Sequence, residues 1–337
     1  MYARISEQSA SYGAGAMLGP SVTNTLERGK GVGGLGIILA RMFAKFLYDD
    51  TEEGLRSSTN LFFYFSNGLV VVSVVLWLLL LQSPHAAPLV EYEKQRVSKL
   101  AAVSQSARKS NGPDSGNGAA YASVEAGEGG LSPSPQPQLA ASSSGGAKKG
   151  GESAPLVLPE PPSGPASSVG EVLVMVLRPA SVVMVGFLVC LACFPGLTTS
   201  LTSRTLGLGD WFPVILVLCF NSFDLVGKTL PGCKLLFDEQ TLPWAAMAHC
   251  GFIPLFVFVA SAPSLDGPWG FLGSDEFACV LVCCLGISTG YVTCSAMMLG
   301  PGCVAPQDRV LGGQMMTCCL MVGLFAGAMV GLALSVA

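Results

Sequence analysis

The chain runs in long apolar stretches separated by short polar breaks, with one extended polar interruption near its middle. Eight apolar segments stand out, at 5–25, 31–48, 61–82, 177–200, 211–231, 243–262, 277–299 and 312–335. Most are near the roughly 20 residues that a helix needs to cross about 30 Å of hydrocarbon. Helices are expected because each satisfies its own backbone groups where no water is at hand. The stretch from Leu61 to Leu81 carries no charge at all. The first segment is the weakest, containing Glu7 and Gln8 among Ser, Gly and Ala. It is not a secretory signal, since no basic region leads into a compact Leu-rich run. The pattern predicts an all-α, polytopic helical membrane protein.

Composition agrees. Of 337 residues, 50% are hydrophobic and 12% charged, about half the charge of an ordinary soluble domain. Mean hydropathy is +0.55. A net charge of −4 gives no basic surface for nucleic acid. The two histidines, His85 and His249, are too far apart for a His-based metal site, and His249 is read as standing alone near an interface. All 12 cysteines lie between Cys190 and Cys319, mostly inside apolar runs. They show no paired CxxC pattern, so they read as small packing residues. No HExxH, GxSxG or P-loop occurs. Neither an enzyme nor a bound metal or cofactor is expected.

The interruption divides the chain. In residues 101–170, 47 of 70 positions are Ser, Gly, Pro or Ala, too little apolar area to offset the entropy of ordering. The expected organisation is three spans in 1–82, a disordered loop over 83–170, and a five-helix bundle in 171–337. Placing the loop in the cytoplasm puts Arg28, Lys30, Lys94, Arg96, Lys99, Arg108, Lys109, Lys148, Lys149, Arg178, Lys234 and Arg309 inside, with only Arg4, Arg56 and Arg204 outside. That asymmetry follows the positive-inside rule. Eight spans then leave both termini outside.

Two further patterns concern packing and chemistry. The last span has GxxxG steps at Gly323, Gly327 and Gly331, and Gly286 with Gly290 repeats the spacing. Such smooth faces let helix backbones approach, here for packing within the chain. Ionisable residues inside spans are costly and mark functional sites or buried pairs. Arg41 and Lys45 lie four apart in the second span; Lys45 can snorkel outward and Arg41 is deeper. In the fifth, Asn221, Asp224 and Lys228 fall at i, i+3 and i+7 and share one face. Either Asp224 and Lys228 form a structural ion pair, or the face lines a watery path. An acceptor-only carboxylate, a donor-only ammonium and an amide suit a neutral, hydroxylated solute. Taken alone, these residues indicate a transporter or channel for a small polar substrate.

At these positions the sequence resembles the equilibrative nucleoside transporter family. Phe220-Asn221-Ser222-Phe223-Asp224-Leu225-Val226-Gly227-Lys228 is similar to that family's FNxxDxxGR signature. Phe194-Pro195 resembles the end of its seventh helix, and Gly290-Tyr291 with Gly300-Pro301 its NGY…GP pattern. The stretch from Gly31 through Arg41, Lys45 and Gly54 to Phe63 resembles helices five and six of plant and protist members. The likeness runs through the spans in order. It departs at Lys228, where the family has Arg, at Thr289, where it has Asn, and at Gly302-Cys303, where a basic pair is usual.

The resemblance implies a major-facilitator-like fold of eleven helices, of which this chain would hold the fourth to the eleventh. Met1 would then be an internal or mispredicted start, and 1–82 the remnant of the N-terminal bundle. It implies alternating access and movement of a nucleoside or nucleobase across the plasma membrane or an intracellular one. Asp224 and Lys228 would hold ribose, Asn221 would support Asp224, and Gln8 would read the base edge. Arg41, Phe194, Pro195 and Thr289 would border the pathway or its gate. The competing reading is a polytopic structural or receptor-like protein that transports nothing.

Overall fold

The computed structural model describes residues 2–48, 51–82, 168–198, 201–261 and 270–336. The expected disordered loop lies outside them except for residues 168–170. The described residues contain nine α-helices and no strand: α1 (Tyr2–Leu18), α2 (Pro20–Leu47), α3 (Glu52–Gln82), α4 (Val169–Leu191), α5 (Phe212–Cys233), α6 (Leu242–His249), α7 (Phe252–Ser261), α8 (Asp275–Leu299) and α9 (Arg309–Val336). Among the described residues each expected apolar segment is largely helical; the first divides at Gly19 between α1 and α2, and α6 with α7 makes up the sixth.

Among the described residues, six helical stretches are long and apolar enough to cross a membrane: Glu52–Leu76, Val169–Leu197, Gly209–Cys233, Leu242–Ala260, Asp275–Cys303 and Pro306–Leu334. The first two expected segments are helical but more polar. Their boundary also differs from the expectation of a polar loop at 26–30. Gly19 takes φ 105°, which favours glycine, and Pro20 starts α2, where its missing N–H costs nothing. Glu27, Arg28 and Lys30 therefore lie within α2 rather than between helices. Arg178 likewise lies inside α4, which starts at Val169, capped by Ser168 and Glu171 in a reciprocal box.

Helix ends follow local chemistry elsewhere. Ser274 caps α8, with Asp275 and Glu276 in its first turn, where the helix dipole favours negative charge. Below α4 the chain continues as a wide turn, Ala192–Leu197, in which Phe194 is extended ahead of Pro195.

The helices before residue 83 and after residue 168 pack into one unit. α8 is its axis: every residue from Thr289 to Met298 is buried, as in a helix enclosed on all sides. One core layer joins Tyr12, Val176, Leu242, Met297 and Met316; the other joins Phe212, Leu216, Phe256 and Leu285. The α9 glycines lie on α4: a Cβ on Gly327 would meet Leu188 O at 2.5 Å, and one on Gly331 would meet Leu191 O at 2.8 Å. The GxxxG face thus packs inside the chain, as its spacing indicates. α3 packs on α2 and exposes Phe63, Tyr64, Leu69, Val71 and Leu76, a surface suited to lipid.

Candidate functional site

α5 buries a single stripe of Leu216, Phe220, Asp224, Gly227, Lys228 and Pro231. Asp224 and Lys228 lie one turn apart on it, 7% and 8% exposed. Lys228 Nζ donates to Asp224 Oδ2 at 2.6 Å. Each ion neutralises the other where water is nearly excluded.

Two neighbouring helices close on this pair through residues without side chains. On α8, a Cβ on Gly290 would lie 3.0 Å from Lys228 N and 3.1 Å from Asp224 Oδ1. Gly227 reciprocates, its hypothetical Cβ 3.0 Å from Tyr291 N. On α2, Gly31 abuts Leu225 and Gly34 abuts the Asn221 amide oxygen. Asn24 adds a polar clasp, its amide donating to Lys228 O at 2.8 Å and to Cys294 Sγ at 3.2 Å. Three helices thus meet at one polar stripe.

A second ionic cluster, unforeseen from sequence, adjoins it. Glu27 on α2 is fully buried. Its Oε1 accepts from the Tyr12 hydroxyl of α1 and, at 3.3 Å, from Lys30 Nζ. Lys30 Nζ also donates to the Tyr12 hydroxyl at 2.5 Å. Glu27 Oε2 is buried with no hydrogen-bond partner. Asn24, one turn before Glu27 on α2, links the two clusters through the Lys228 carbonyl. Two carboxylates and two ammonium groups therefore balance in charge.

The other expected residues are placed as follows. Asn221 donates to Val217 O of its own helix at 2.9 Å, not to Asp224, so the expected support of Asp224 is absent from this geometry. A helical side chain that can return to its i−4 carbonyl often does so. Gln8 is half-buried on α1, one turn from Tyr12, with no hydrogen bond to Asp224, Asn221 or Lys228. Phe194 stacks on Phe220 at 4.2 Å between centroids, so it and Pro195 sit one turn of α5 from Asp224. Thr289 is buried beside Gly290, its hydroxyl 3.4 Å from His249 Nε2. His249, expected to stand alone, is itself 1% exposed and 2.8 Å from Ser288 Oγ through Nδ1. Arg41 reaches Ser58 at 3.3 Å and lies over the Phe62 ring. It ties α2 to α3 and is about 21 Å along α2 from Glu27. Lys45 reaches the Asp210 carbonyl at 3.2 Å beside the Trp211 ring.

The stripe offers acceptors, donors and aromatic faces with no net charge, which fits a neutral solute bearing hydroxyls and a ring. Sequence comparison bears on the chain as a whole. The family described as Nucleoside transporter matches residues 7–336. Equilibrative nucleotide transporter 1 of Arabidopsis thaliana is 26% identical over 302 residues, 89% of this chain and 54% of that protein. Equilibrative nucleoside transporter 4 of Danio rerio is 28% identical over 342 residues, 97% of this chain and 61% of its own length. The human protein of that name is 32% identical over 151 residues, 44% of this chain and 27% of its own. The chain thus spans a little over half the length of the first two. With a match across nearly all of its residues, the chain belongs to the nucleoside transporter family.

Proposed function

We propose that this chain acts in a membrane carrier that moves nucleosides, or nucleobases, down their gradient by alternating access. The observation that carries this reading is the buried Asp224–Lys228 pair on a stripe where α2, α5 and α8 meet. Asp224 accepts from ribose hydroxyls and Lys228 donates to ribose oxygens, each exchanging part of the present ion pair for substrate. Gln8 faces the base. Phe194 and Phe220 supply an aromatic stack one turn away. Family membership and the names of the relatives support the substrate class. The carrier role makes the chain a transporter rather than an enzyme, and its environment a lipid bilayer.

A second reading has its own support. At 2.6 Å the pair is already complete without ligand, as in a strut that only holds helices together. Saturable binding of radiolabelled adenosine to the purified protein separates the readings. The carrier reading expects displacement by unlabelled ribonucleosides and loss of binding in Asp224→Asn. Absence of saturable binding by the well-folded protein would favour the strut.

A further inference from the structure

We propose that Glu27 reads the amino group of the substrate's base through its unpartnered oxygen Oε2. The assignment rests on the nucleoside reading above and specifies one contact within it. Oε1 already holds Tyr12 and Lys30, so tying α1 to α2 needs only that oxygen. Oε2 is buried and lacks a donor. A buried acceptor in that state has lost its water with no return, and such groups call for a functional explanation.

The position fits the base end of a nucleoside. Tyr12, which donates to Glu27, is one turn of α1 from Gln8. Asn24, one turn before Glu27 on α2, donates to the carbonyl of Lys228. Glu27 therefore stands between the residue assigned to the base and the pair assigned to the ribose.

The chemistry then selects the ligand. An ionised carboxylate only accepts hydrogen bonds. It welcomes the exocyclic amino group of adenine or cytosine and opposes the carbonyl that hypoxanthine or uracil carries in its place. Glu27 and Asp224 are balanced by Lys30 and Lys228, so the cluster suits a neutral base rather than a cationic amine.

Competition against radiolabelled adenosine tests the assignment on the unmodified protein. Adenosine should displace the label at a concentration about tenfold or more below that of purine riboside, which lacks only the amino group, and inosine should be weaker still. Equal displacement by adenosine and purine riboside would overturn the assignment. Glu27→Gln adds a second measurement. Its amide oxygen still serves Tyr12 and Lys30, while its NH2 offers a donor to inosine. Adenosine KM should rise about tenfold with turnover unchanged, and the preference over inosine should vanish or reverse. An equal loss for all three ligands would instead assign Glu27 to helix packing and sink the proposal. Failure of the underlying nucleoside reading looks different, because then no nucleoside displaces the label at all. Failure of the Glu27 assignment alone leaves binding intact and still weakened by Asp224→Asn.

Discussion

Replacing Asp224 with Asn keeps the shape of the side chain and removes its charge. The carboxylate is 7% exposed and accepts from Lys228 at 2.6 Å. The substitution leaves Lys228 without the counter-charge at its side. If the pair is only a strut, breaking it by one partner costs about 3–5 kcal/mol, enough to unfold a marginally stable protein. Surface expression should then fall, and Asp224→Asn combined with Lys228→Met should restore it, because no uncompensated charge remains. If the pair binds ribose, its stripe opens to water during the transport cycle, Lys228 is solvated there, and the protein reaches the membrane. Each lost charged hydrogen bond then weakens ribonucleoside affinity by about 1.5–3 kcal/mol, or roughly ten- to a hundredfold. The double variant should not recover it. Lys228→Arg should be tolerated or bind more tightly, since the planar fork reaches two oxygens. Surface biotinylation read beside adenosine uptake separates the two outcomes. Normal uptake by Asp224→Asn at normal surface level would refute the binding role.

Other outcomes follow from the packing. Gly327→Ala drives a methyl against Leu188 O and Cα of α4, and overpacking of this kind should cost about 1–3 kcal/mol, read as a lower midpoint of thermal unfolding in detergent; an unchanged midpoint would refute the close α4–α9 approach. Gly290→Ala should impair uptake more than Gly302→Ala, because a Cβ at Gly290 meets the Asp224 and Lys228 backbone while one at Gly302 meets nothing within 4 Å; equal uptake by the two variants would count against that contact. Asp275 accepts from Ser203 Oγ at 2.6 Å and from the N–H groups of Arg204, Thr205 and Leu206. Asp275→Ala should therefore release the 203–206 turn and destabilise by about 3 kcal/mol, seen as new protease cleavage there, whereas full resistance would contradict the contact. Sidedness is tested in a cysteine-depleted background: Leu206→Cys should react with an impermeant reagent from outside and Gly170→Cys should not, and the reverse pattern would invert the topology derived from the charge asymmetry.

Much of this was legible in the sequence because lipid imposes a simple rule. Apolar runs of spanning length must be helices, and every apolar segment is one. The shared face of Asn221, Asp224 and Lys228 follows from helical spacing alone. GxxxG spacing foretold close packing, though only coordinates pair Gly327 with Leu188 and Gly290 with Asp224. The Glu27 cluster was hidden by its own composition. Glu27, Arg28 and Lys30 among Gly29, Gly31 and Gly33 break the apolar period, so the segment reads as a polar loop. Burial against Tyr12, with Asn24 on the Lys228 carbonyl, overrides that local signal. The available clue was Gly19-Pro20, a helix stop followed by a favoured first helical residue. His249 escaped notice for a related reason: its partners Ser288 and Thr289 lie about 40 residues on, and nothing in the spacing connects them. Asn221 shows the converse limit, since spacing puts it beside Asp224 while its amide bonds its own helix.

In the carrier reading Asp224 recognises the ribose of a nucleoside. The direct measurement is the ratio of affinities for adenosine and 2′,3′-dideoxyadenosine, taken in the unmodified protein and in Asp224→Asn at matched surface levels. In the unmodified protein adenosine should bind about tenfold or more tightly, the worth of a hydrogen bond to a charged group. In Asp224→Asn the ratio should fall severalfold, because the carboxylate's share of the discrimination is gone while Lys228 still reaches the hydroxyl oxygens. A ratio that persists undiminished in the variant would contradict the claim and place the discrimination on another residue.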